Sequence, residues 1–84
     1  PTKVSEGTKV FPNPSNGIFT IEVKNADLSK TVNVYNLLGD LVFNNSFTDQ
    51  QYVMDLKSIA KGVYFVQVLI KEEELLFDKI VIQE

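Results

Sequence analysis

The side chains that most often do chemistry in proteins are missing from this chain: it contains no histidine and no cysteine. Ser–His triads, thiolate nucleophiles and the usual zinc and copper ligand sets are therefore out of reach. What remains are carboxylates: Asp49, Asp55, Asp78 and the run Glu72-Glu73-Glu74. A carboxylate pair serves as general acid and base only in a shaped pocket that shifts a pKa. These acids fall near expected turns and strand ends, where such groups are solvated surface charge. No enzyme, metal or cofactor is expected. Asn13 to Gly17 has a distant likeness to a calcium loop, but the carboxylates and the closing bidentate Glu are absent, so it reads as a turn. Asn44-Asn45-Ser46 fits a glycosylation sequon, a triplet that arises often by chance.

The elements that must carry these residues are short and β-rich. Their number is bounded by a length of 84 residues, enough for one compact domain and too little for two. A hydrophobic content of 44% allows a core, and without cysteine no disulfide can staple it. The formal net charge is -3 with no basic stripe, so nucleic acid is not an expected partner. The longest apolar stretch, Val63 to Ile70, is interrupted by Gln67 and too short to cross a bilayer as a helix. The start is Pro1 rather than Met and carries no secretory signal, which suggests a piece of a longer protein with its targeting signal upstream.

Pro1 to Thr8 reads as a polar linker, and residues 9–84 as the domain. Strands are expected at Lys9–Phe11, Ile18–Lys24, Thr31–Leu37, Leu41–Ser46, Gln51–Leu56, Val63–Ile70 and Leu75–Ile82. Within them Phe19, Ile21 and Val23 share one face, as do Val32 and Val34, Leu41 and Phe43, and Tyr52, Met54 and Leu56. Tyr64, Val66, Val68 and Ile70 do the same on the longest strand, whose other face is also apolar, as suits a central strand. Asn25 to Lys30 reads as a polar loop, Lys57 to Lys61 as one helical turn closed by Gly62, and Lys71 to Glu74 as a hairpin tip. Seven short strands with frequent turns point to an all-β, immunoglobulin-like antiparallel sandwich.

Punctuation residues fix the turns. Pro12 and Pro14 cannot donate to a ladder and end the first strand. Asn16-Gly17 supplies a positive φ for the restart, Gly39 does so between the third and fourth strands, and Gly62 releases the chain into the longest one. Tyr64 either hydrogen-bonds back across its loop, as in a tyrosine corner, or is a buried aromatic with its hydroxyl at the rim.

Taken in order, Pro12-Asn13-Pro14 with Gly17, Val34-Tyr35-Asn36 with Gly39, Asp55-Leu56 before Gly62-Val63-Tyr64, and Lys79-Ile80-Val81-Ile82 form a set. From about Val10 to Ile82 it resembles the type A C-terminal sorting domain of the type IX secretion system, the Por secretion tail. Each motif alone is weak; their order and spacing make the combination specific. The resemblance implies a domain attached behind an exported passenger, directing it through an outer-membrane translocon. It further implies a barrel shuttle protein that receives the domain, and a surface sortase that commonly removes it. The passenger would cross the periplasm and end at the cell surface or outside the cell. Carried over by resemblance are Pro12, Asn13, Pro14, Gly17, Gly39, Gly62 and Tyr64 as fold determinants. Lys79, with Ile80, Val81 and Ile82 on the terminal strand, is the candidate translocon contact; the alternative for Lys79 is a solvated charge on an outward face. Two other readings are an immunoglobulin-like module binding carbohydrate or protein, and an inert spacer. A glycan site would want exposed aromatics on one face, and the phenylalanines mostly alternate inward.

Overall fold

The computed structural model describes residues 7–24 and 28–83. The strands are β1 (Thr8–Phe11), β2 (Ile18–Val23), β3 (Lys30–Tyr35), β4 (Leu41–Phe47), β5 (Gln51–Asp55), β6 (Gly62–Ile70) and β7 (Glu73–Ile82). They form two antiparallel sheets, ordered β1-β2-β5 and β4-β3-β6-β7. The chain crosses between sheets after β2, β4 and β5, which is the sandwich wiring that keeps sequence neighbours from all lying in one sheet.

Period-2 alternation places the core. Phe19, Ile21 and Val23 of β2 and Met54 of β5 face Val32 and Val34 of β3, Tyr64, Val66 and Val68 of β6, and Ile80 and Ile82 of β7, all buried. Leu75 and Leu76 are adjacent yet both buried. The register of β6 against β7 slips there, with Val68 opposite Leu76 and Leu69 opposite Glu74, so Leu75 is the extra residue of a β-bulge.

Several expectations are corrected. Thr8 belongs to β1, paired with Val23, and not to a linker; Pro1–Glu6 lie outside the described residues. Lys30 is a strand residue, fully buried rather than in a polar loop; its ammonium donates to the Thr48 carbonyl at 2.9 Å and sits 5.4 Å from the Phe47 ring centre. Asn25–Asp27 of that loop lie outside the described residues. Lys57–Lys61 forms no helix: Lys57 N–H is held by the Asp55 carboxylate and Ile59 N–H by the Leu56 carbonyl, a tight turn that drops half-buried Ile59 onto the core. Leu41 and Phe43 do not share a buried face, since the pairing slips between Val34 and Tyr35 and Leu41 stays 53% exposed on an edge strand. The hairpin tip narrows to Lys71 and Glu72; Glu73 and Glu74 are already strand.

Gly17 shows why the second turn needs glycine. Its φ is +123°, and a Cβ there would lie 3.1 Å from the Lys57 Cα and 3.2 Å from its backbone nitrogen. Its carbonyl also accepts the Leu56 N–H at 2.7 Å, so the segment cannot back away. Gly17→Val is expected to cost at least about 1–2 kcal/mol, from strain plus the backbone clash. A denaturant melt with the wild-type midpoint would contradict this.

Candidate functional site

The motifs that are scattered along the sequence meet at one end of the sandwich. Antiparallel pairing brings the β1–β2 turn, the β3–β4 turn, the β5–β6 turn and the end of β7 to the same pole. Thr8, where β1 begins, lies at the other end of its strand, beside Val23. The two ends are separated by the length of β2, which runs from Ile18 beside Asp55 to Val23 beside Thr8.

Each turn is built by its own hydrogen bonds. Asn36 takes the Leu38 and Asp40 N–H groups on its side-chain oxygen, both at 2.9 Å, while its carbonyl accepts Gly39 N–H at 3.0 Å. Gly39 and Gly62 have φ of +89° and +148°, as their turns require. Tyr64, near the start of β6, donates from its hydroxyl to the Ala60 carbonyl at 2.6 Å, a tyrosine corner with the ring buried. A shallow groove of about 280 Å³ separates the turns, lined by Asn36, Leu37, Leu38, Lys61, Gly62, Val63 and Tyr64.

The Pro12–Ser15 segment, with both X–Pro bonds cis, crosses from the small sheet to the outer edge of β7. Asn13 does there what a neighbouring peptide group would do. Its side-chain nitrogen donates to the Lys79 carbonyl at 2.7 Å and its oxygen accepts the Val81 N–H at 3.0 Å. Ser15 follows with its main chain, donating to the Val81 carbonyl at 3.0 Å and accepting the Gln83 N–H at 2.7 Å. The terminal strand therefore sits at a sheet edge, as its place in the chain suggests, but from Lys79 to Gln83 that edge is covered rather than unpaired. Nothing in Pro-Asn-Pro announces a partner more than sixty residues away; an amide flanked by two non-donating residues was the available signal.

On β7 itself the alternation separates the candidate contacts. Ile80 and Ile82 point into the core at 0% and 3% exposure, whereas Val81 is half-buried and Lys79 exposed on the opposite face. Lys79 makes no ion pair among the described residues. It stands opposite Phe65, on the outer face shared by Val63, Gln67 and Phe77. That face also carries a polar chain: Asn44 to Asn33 at 2.6 Å, Asn33 to Gln67 at 3.2 Å, Gln67 to Glu74 at 3.0 Å, with the Tyr35 hydroxyl on Gln67 at 3.3 Å. Contrary to the sequence reading, Phe65 and Phe77 do face outward. Their rings stack on each other, centroids 5.7 Å apart and planes 5° from parallel, so their faces are turned to one another rather than offered to a sugar.

No group of three or more carboxylates placed to hold a metal ion occurs among the described residues. The structure is an all-β sandwich whose ordered motifs build one pole and brace β7. Residues 9–83 match the family described as the secretion system C-terminal sorting domain, and the chain belongs to that family, whose members are sorting signals of the type IX system. Among curated relatives, an endo-acting ulvan lyase of Formosa agariphila is 30% identical over 81 residues, covering 95% of this chain and 16% of that protein. Beta-agarase A of Zobellia galactanivorans is 28% identical over 57 residues, covering 68% of this chain and 11% of that protein. The chain thus spans less than a fifth of either relative. It is a sorting domain of the kind attached to passenger proteins that the type IX system exports to the cell surface or the extracellular space.

Proposed function

We propose that the motif-bearing pole and the adjoining end of β7 are what the export machinery reads, and that the passenger is joined through the residues ahead of Thr8. The observation that carries this reading is the gathering of Pro12, Asn13, Pro14, Gly17, Gly39, Gly62 and Tyr64 around the end of the strand that presents Lys79. The passenger would then leave from the opposite pole, clear of that surface. Pro12, Asn13, Pro14, the glycines and Tyr64 shape the pole, while Lys79 and Val81 touch the partner; Ile80 and Ile82 act by fixing the strand to the core. The partners in this reading are the outer-membrane translocon, a barrel shuttle protein and a surface sortase that cuts in the segment before β1, with transit through the periplasm. By analogy with the two relatives, the passenger is a secreted enzyme such as a polysaccharide-degrading one. The test of the contact reading is secretion of a fused reporter carrying Lys79→Glu, compared with the unaltered fusion.

A further inference from the structure

An edge strand that another protein is to read must be reachable, yet an open edge invites unwanted pairing. Here the C-terminal half of the β7 edge is closed from within by Asn13 and Ser15. The two sides of β7 are held very differently. Toward β6 it is paired along nine Cα positions, with Leu76, Ile80 and Ile82 in the core. Toward Pro12–Ser15 it has four hydrogen bonds; Pro12, Asn13 and Pro14 are exposed and Ser15, the one buried residue of the segment, is polar, so little apolar burial backs them. The Ser15 hydroxyl bonds to Gly17 N–H and to the Ile18 carbonyl at the start of β2, so it anchors the near end of the segment to the small sheet and adds nothing to the hold on β7.

We propose that the Asn13–Ser15 segment is a latch: it closes the β7 edge from Lys79 to Gln83 in the free domain and opens without unfolding the sandwich. The open edge then fits one kind of partner, an extended strand of another protein that supplies acceptors to the Val81 and Gln83 N–H groups and donors to the Lys79 and Val81 carbonyls. The proposal rests on the reading that β7 meets the machinery. Segments held by few buried contacts are the ones that open locally, ahead of global unfolding.

Amide hydrogen exchange of the 84-residue chain, read residue by residue by NMR, tests the latch without any partner. The Ser15, Val81 and Gln83 amides should exchange at least about tenfold faster than those of Tyr64 and Ile80, which lie in the β6–β7 ladder. In Asn13→Ala the Ser15 and Gln83 amides, whose own acceptors and donors remain, should exchange a further tenfold or so faster, with Tyr64 and Ile80 unchanged. Equal protection of all five amides, or uniform loss of protection in the variant, would show that the segment is an integral part of the fold and overturn the latch. Normal export of Lys79→Glu would instead strike the contact reading, and the exchange result would stand apart from it.

Discussion

Phe19→Ala lowers the unfolding free energy by about 3–5 kcal/mol, the range for emptying a fully buried phenylalanine site. Phe19 is 0% exposed near the start of β2, opposite Met54 of β5 and next to Thr20, which pairs with Phe11 of β1, so the surrounding backbone has little room to collapse into the void. A domain of this size without disulfides keeps only a few kcal/mol of net stability. The variant should accordingly be largely unfolded at 25 °C, or melt at a greatly reduced urea concentration, with strand signal lost from the circular dichroism spectrum. A urea midpoint close to that of the wild type would mean that Phe19 does not anchor the core.

The second large effect is expected on export and not on stability. Lys79 is exposed, makes no ion pair among the described residues and lies on a strand whose fold-determining side chains are Ile80 and Ile82. Reversing its charge should leave the melting midpoint nearly unchanged, because exposed substitutions of this kind usually stay within about 0.5 kcal/mol. Export of a reporter bearing Lys79→Glu should fall by about tenfold or more, the factor produced by losing roughly 1.4 kcal/mol of contact energy. Deleting Lys79–Glu84 is a poorer test, since it removes Ile80 and Ile82 from the core together with the lysine. Normal export of a folded Lys79→Glu fusion would identify Lys79 as ordinary solvated charge.

The strands were readable because alternation is a local signal. Phe19/Ile21/Val23 and Tyr64/Val66/Val68 can face only one way on a pleated strand, and the glycines at 17, 39 and 62 carry the positive φ their turns imply. Edges and irregularities were not readable, because they depend on which strand lies alongside. Leu41 and Phe43 alternate like core residues, but β4 has a single neighbour and a slipped register. Lys30 looks like loop charge until its cross-strand partner Phe47, at the end of β4, and the adjoining Thr48 are there to receive it. Phe65 alternates against Tyr64 and Val66, but its stacking on Phe77 could be seen only once β6 and β7 were known to pair. The motif order named the family, yet the bond from Asn13 to β7 was invisible, since it joins two segments that only the closed sandwich brings together.

The most direct test of the central claim is secretion of an inert reporter fused ahead of these 84 residues, delivered to the periplasm of a bacterium that has a type IX system. The fusion should appear at the cell surface or in the medium, and should stay in the periplasm in an otherwise identical strain lacking the translocon. If the intact, folded fusion remains periplasmic in the competent strain, or leaves equally well without the translocon, the domain does not sort its passenger.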